Sequence, residues 1–253
     1  MTLSCEDKVA ILDNQFDPDN PEYTLPQVTF VSPSPQESEI VETTEVSFQW
    51  EGNALVEEYR NKFDNEEWKD WTSQASTSLQ YLDEGPHIFS IQGRYASGDT
   101  SEIVSINFSV DAVEGPALMF FPRRHIASVG QTVSFQIVAE EVEDLAAAEC
   151  TITFDPEILQ ITDVSKGSIF ESQGESIFLN NYDNAVGTIT LSTALLGGDN
   201  PAVNGTNDIA IIEMEVKMKG TGTLTIDGSA VFRNPNNGPI LINKIINGLV
   251  EIE

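Results

Sequence analysis

At 253 residues the chain has room for two ordinary domains, and with 40% hydrophobic and 21% charged residues it can fill real cores and is not a disordered acidic tail. Its 41 Asp and Glu face 12 Lys and Arg, a formal net charge of −29. Such a surface, without a basic stripe, excludes nucleic-acid binding and disfavours direct docking on anionic lipid, and no apolar run is longer than a strand.

Residues 1–26 read as a disordered tether. The run Asp13-Asn14-Gln15-Phe16-Asp17-Pro18-Asp19-Asn20-Pro21-Glu22-Tyr23 is rich in turn formers and carboxylates and has no hydrophobic period. Asp17, Asp19 and Glu22 lack the spacing of a calcium loop, so no metal site is expected. Near the start, Leu3-Ser4-Cys5 resembles the tail of a bacterial lipobox, in which the cysteine carries the lipid. That resemblance implies a lipid anchor at Cys5, an extracellular, cell-surface or periplasmic location, and membrane contact through the anchor alone.

Residues 27–112 alternate with period two. Val46, Phe48 and Trp50 share one parity; so do Phe89, Ile91 and Tyr95, and then Ile106, Phe108 and Val110. Turn signals at Glu51-Gly52-Asn53, Glu84-Gly85-Pro86 and Ser97-Gly98-Asp99 separate the runs. The pattern predicts a seven-strand sandwich of immunoglobulin or fibronectin type III kind. The stretch around Trp68 and Trp71, with Glu84-Gly85-Pro86-His87-Ile88-Phe89, resembles Ig-like modules of bacterial surface proteins. Trp68 and Trp71 are expected to pack over a sandwich edge; the alternative is a sugar-stacking platform.

Residues 117–253 form a second all-β unit with strands expected at 133–138, 149–154, 177–181, 187–195, 209–218, 223–226, 230–232 and 248–252. Gly220, Gly222, Asp227-Gly228 and Asn237-Gly238 supply turns, and the whole predicts a jelly-roll sandwich. Cys150 is in phase with Ile152 and Phe154 and should be buried rather than bridged to Cys5. Phe170, Phe178 and Phe232 are expected as packing residues.

Catalysis is not expected. His87 and His125 are the only histidines, and no nucleophile elbow, metal-spaced His pair or phosphate loop is present. The reading is therefore all-β, two β-sandwich domains in tandem after the tether, with no catalytic residues and no cofactor.

Four stretches of the second unit resemble the cohesin family, the receptor modules that bind dockerins. They are Gly130-Gln131-Thr132-Val133-Ser134-Phe135; Leu145-Ala146 with Ile152-Thr153-Phe154-Asp155-Pro156-Glu157-Ile158-Leu159-Gln160-Ile161; Gly187-Thr188-Ile189-Thr190-Leu191 with Asp208 to Lys217; and Asn247-Gly248-Leu249-Val250-Glu251-Ile252. The resemblance implies a partner that docks on a flat sheet face rather than in a cleft, with any calcium held by the partner's loops. Carried over by strand parity, it points to Thr151 and Thr153, Asn180 and Tyr182, and Thr188, Thr190 and Ser192, with Tyr182 as an anchor. The resulting function is a tethered, non-catalytic adaptor whose Ig-like domain is a stalk and whose partner is a dockerin or another surface protein. A carbohydrate-binding surface protein and a structural subunit of a surface layer or filament are the alternatives.

Overall fold

A computed structural model describes residues 14–197 and 201–253. The chain divides into two compact units: one comprises residues up to 41, 45–80 and 85–110, the other residues 42–44, 81–84 and 111–253. Among the described residues there is no α-helix, and a single 3-10 turn lies at Glu171–Gln173.

The first unit has seven strands: β1 (Val28–Val31), β2 (Glu39–Val41), β3 (Val46–Gly52), β4 (Val56–Phe63), β5 (Ser76–Leu79), β6 (Gly85–Tyr95) and β7 (Val104–Val110). They form one sheet in the order β1-β3-β5 and another in the order β2-β7-β6-β4. The alternating apolar positions meet between the sheets. Phe48 of β3 stacks on Phe89 of β6 with ring centroids 3.9 Å apart, and Phe30, Trp50 and Phe108 close around this pair. Aromatic pairs of this kind add to the burial that drives sheet packing.

Ahead of β1, the described part of the tether is a chain of Asx turns. The side-chain oxygens of Asn14, Asp17 and Asn20 accept from the backbone N–H groups of Phe16, Asp19 and Glu22. Residues 14–26 thus carry no strand but follow a defined path along the first unit: Phe16 meets the edge of Tyr95, whose hydroxyl donates to the Thr24 carbonyl at 2.9 Å. Cys5 lies outside the described residues.

The second unit contains β8 (Ala117–Phe121), β9 (Arg124–Ala127), β10 (Thr132–Leu145), β11 (Ala147–Thr153), β12 (Leu159–Lys166), β13 (Ser176–Asp183), β14 (Thr188–Leu195), β15 (Val203–Val216), β16 (Gly220–Ile226), β17 (Val231–Arg233), β18 (Pro239–Ile240), β19 (Lys244–Ile246) and β20 (Gly248–Ile252). One sheet runs β12-β15-β10-β8-β19. The other runs β13-β14-β11-β16-β20-β9, with β17 pairing beside β11 and β18 beside β17. Phe135, Ile137, Cys150, Ile152, Ile189, Leu191, Met214 and Val250 belong to the continuous core between the sheets, with Phe170 and Phe232 fully buried and Phe178 packed against them.

Strands β8, β9, β12, β18 and β19 go beyond the sequence expectation. The run Ala117-Leu118-Met119-Phe120 is buried on both faces, so it has no alternation to read. Leu118 and Phe120 enter the main core, whereas Ala117 and Met119 pack with Val113, Val138 and Ile246 on the other side. At the Asp155-Pro156 corner the Asp155 carbonyl accepts from the N–H of Leu159 at 2.9 Å, and Leu159 drops into the core.

Candidate docking face

Pairing register defines which side chains leave the β13-β14-β11-β16 sheet on its solvent side, because residues directly opposite each other in an antiparallel pair share a face. Cys150 and Ile152 of β11 are buried, so Ala147, Glu149, Thr151 and Thr153 point outward. Their partners on β14 are Ala194, Ser192, Thr190 and Thr188, opposite in that order. Thr151 and Thr190 bring their hydroxyls within 3.3 Å of each other, and Ser192 donates to Glu149 at the same distance. Thr225 pairs with Thr153 and extends the face onto β16, where Thr221 and Thr223 are also exposed. The five expected positions on β11 and β14 therefore form one contiguous polar surface.

The two expected positions on β13 do not belong to it. Asn180 pairs with Leu191 and Tyr182 with Ile189, both buried, so Asn180 and Tyr182 take the inner parity of β13. Both are exposed on β13, the sheet's edge strand. The outward side chains of β13 are Ile177, Leu179, Asn181 and Asp183, opposite Ala194, Ser192, Thr190 and Thr188. Leu179 is 63% exposed and Ile177 41%.

The hairpin that holds β13 and β14 is fixed locally. Gly187 sits at φ 76°, and a Cβ there would lie 2.1 Å from the Phe154 carbonyl oxygen, so only glycine fits. The Asn184 side chain both accepts from and donates to the backbone of Ile161, at 2.9 Å each, which pins the turn to β12. Behind the face, burial first and the neighbouring Glu149 second push the Cys150 thiol up to about 12, so it stays protonated.

The face has two halves. Towards Thr153 and Asp183 it is threonine-rich and polar. Towards Ala147 it becomes a shallow hollow floored by Ala147, Ala194 and Ser192 and bordered by Ile177 on one side and Val231 and Arg233 on the other. Sequence reading missed this half. Alanines carry no signal alone, and Val231 and Arg233 enter only through the pairing of β17 with β11.

On the first unit, Trp68 and Trp71 are partly buried and their rings are engaged by arginines. The Arg60 guanidinium lies 4.7 Å from the ring centroids of both, and that of Arg94 lies 4.5 Å from Trp71. Gln92 accepts from Arg60 at 2.6 Å and Glu58 pairs with Arg94 at 2.6 Å, which completes an interleaved stack on the outer side of β4 and β6. The rings therefore stack with the two guanidinium groups over the sheet's edge strand β4.

His87 contacts the Asp64 carboxylate at 2.8 Å and packs against Phe63 and Phe108 in the first core. His125 meets the Ser134 carbonyl oxygen at 2.9 Å and the edge of Phe135. Among the described residues no group of three or more His, Cys, Asp or Glu is arranged to hold a metal ion.

The second unit is thus a two-sheet sandwich with a hydroxyl-lined outer face on one sheet. Residues 124–252 match the family model described as the cohesin domain, just over half of the chain, and the protein belongs to that family. Solved structures similar to it include a non-cellulosomal cohesin from the archaeon Archaeoglobus fulgidus, at 15% identity and TM-score 0.46, covering 54% of this chain and 90% of that one. A type II cohesin domain from the cellulosome of Acetivibrio cellulolyticus is similar at 17% identity and TM-score 0.47, covering 53% and 94%. The sixth cohesin of scaffoldin B from the same organism, solved in complex with a Cel5 dockerin mutant, is similar at 17% identity and TM-score 0.47, covering 55% and all of that chain. A search of curated proteins finds no match.

Proposed function

We propose that the protein is a non-catalytic adaptor that captures a dockerin-type partner on the solvent side of the β13-β14-β11-β16 sheet. The observation that carries this is the register-defined face itself: Thr151, Thr153, Thr188, Thr190 and Ser192 lie together on an open sheet that belongs to a cohesin domain. Short hydroxyls on a rigid sheet cost little side-chain entropy when they bind. A flat face of this kind suits a protein surface of about 800 Å² per side rather than a small substrate. Calcium enters through the partner's loops. The lipobox-like Leu3-Ser4-Cys5 supports anchoring at Cys5 and display outside the cytoplasm, with the first unit as an Ig-like stalk. Stable anchoring would use more than one acyl chain.

The test is calorimetric titration of the full chain with a panel of recombinant dockerins, with calcium and with a chelator. Binding of at least one dockerin that disappears on chelation is expected. A panel that binds in neither condition would overturn the reading.

A further inference from the structure

We infer that β13 is a pairing edge for a second copy of this chain: two copies join antiparallel through this strand, about a two-fold axis at Leu179, and continue one sheet across both. The pairing is independent of the adaptor reading, because it uses backbone groups of the strand and not the threonine face.

Hydrogen-bond alternation opens the edge. In an antiparallel pair, directly opposite residues exchange both backbone bonds at every second position. The N–H of Leu196 donates to the Glu175 carbonyl at 2.8 Å, and that of Leu195 to the Ala146 carbonyl at 2.9 Å. These two bonds set the phase of β14: residues 188, 190, 192 and 194 bond to β13, and residues 189, 191, 193 and 195 bond to β11. Asp183, Asn181, Leu179 and Ile177 therefore direct their backbone groups to β14. Ser176, Phe178, Asn180 and Tyr182 turn theirs away from it, and no backbone group of the described residues bonds to them. Edge strands are ordinarily blunted by proline, lysine or a bulge. Ser176–Asp183 has none of the three and runs beside β14 in unbroken register.

Pairing the strand with itself satisfies this edge in full. With Leu179 opposite Leu179 of the second copy, Ser176 falls opposite Tyr182 and Phe178 opposite Asn180, each twice by symmetry. These are the residues whose N–H and C=O groups are open, so every open position meets another. A slip of one residue would set open positions against closed ones, and a slip of two would leave an open residue unpaired at the end. On the axis the two leucines meet at the close spacing of a non-hydrogen-bonded pair, about 4.5 Å between Cα atoms, which covers the exposed Leu179. Opposite residues share a face, so both threonine faces turn to the same side and the joined sheet presents two of them.

Charge sets the strength. The same register places Glu175 opposite Asp183 of the second copy at both ends, and each copy carries a net −29. Like charges directly opposite weaken strand pairing, and salt screens them. Association is therefore weak at low salt and tightens as salt rises.

The experiment is sedimentation equilibrium of the full chain at low salt and at 1 M sodium chloride, beside Glu175→Gln with Asp183→Asn, Leu179→Asp and Asn180→Pro. The parent is expected to dimerise reversibly, with an association constant at least tenfold higher at high salt. The double variant keeps the Asp183 side-chain oxygen that accepts from the Ala185 N–H, and it should pair at least tenfold more tightly than the parent at low salt. Leu179→Asp sets two carboxylates on the axis, and Asn180→Pro removes an N–H that points away from β14. Each should weaken association tenfold or more. Thermal unfolding checks both folds, and Leu179→Asp decides alone if the proline variant is unfolded. A dimer that neither variant weakens lies elsewhere on the chain and overturns the inference. Association lost in Leu179→Asp but kept in a folded Asn180→Pro would make the contact one of faces and overturn it as well. A chain monomeric at both salts, in parent and double variant alike, would leave the edge to a strand of another protein and sink the pairing of copies.

Discussion

Two side chains of the second unit hold their protons further up the pH scale than they do in water. Glu140 is half-buried with one carboxyl oxygen sealed from solvent and without a hydrogen-bond partner. Burial raises its pKa most, the Thr206 hydrogen bond opposes this, and the nearby carboxylates of Glu84, Glu141 and Asp111 raise it again. A raised folded-state pKa means the group supports folding below its ordinary carboxyl value and withdraws that support as pH climbs through the folded value. Glu140→Gln keeps the shape and removes the charge. Its melting temperature at pH 7 is expected to exceed the parent's by roughly a degree or two, a modest gain because the group is partly solvated, and the gap should close on titration towards pH 4. Cys150 follows the same sign at higher pH. Its thiol moves from 9.0 to about 12 on folding, so the unfolded chain ionises first and stability falls as pH rises above 9. In Cys150→Ala that decline between pH 9 and 11 should flatten, as measured by urea unfolding across the range. An equal slope in both proteins would assign the decline to other groups.

At the level of elements, the Trp68–Arg60–Trp71–Arg94 stack ties the loop after β4 to the outer side of β6. Cation–π contacts of this type contribute about 0.5–1 kcal/mol each where partly exposed. A double-mutant cycle on Arg60→Ala and Trp71→Ala is expected to return a coupling of about 0.5–1 kcal/mol in unfolding free energy; zero coupling would mean the rings pack independently of the guanidinium. The tryptophans were legible in the sequence but the arginines were not, because Arg94 reaches Trp71 from a strand that alignment with β4 alone brings near. The docking face divides the same way. On β11 and β14 the buried Cys150, Ile152, Ile189 and Leu191 mark the inner parity, so Thr151, Thr153, Thr188, Thr190 and Ser192 could be read straight off the alternation. On β13 the sequence Ile177-Phe178-Leu179-Asn180-Asn181-Tyr182 has no alternation, because an edge strand with little cover on either side is not selected to show one. Its orientation is set by pairing, Asn181 against Thr190, and a one-residue slip turns every side chain over. That slip is the difference between Tyr182 and Leu179 as the β13 side chain that shares the solvent face with the threonines of β11 and β14.

Across the whole molecule the deciding quantity is charge. Each unit has its own buried aromatic cluster, Phe48 with Phe89 in one and Phe120 with Phe135 in the other, so hydrophobic burial stabilises both without help from the surface. The surface works against them. With 12 basic residues for 41 acidic ones, exposed pairs such as Arg94–Glu58 and Arg124–Glu251 consume cations and leave carboxylates in excess. Salt acts on these two populations in opposite directions, weakening the pairs and relieving the repulsion. The screening length shortens from about 8 Å at physiological ionic strength to about 3 Å at 1 M, which removes most interactions between exposed charges on neighbouring strands or loops. Exposed pairs are worth at most about 1 kcal/mol each, and 41 carboxylates face only 12 basic residues, so relief wins. The melting temperature is therefore expected to rise steadily from 20 mM to 1 M sodium chloride, followed by circular dichroism at constant pH. A fall over that range would show that the arginine pairs, and not the excess of carboxylates, dominate the folded state's electrostatics.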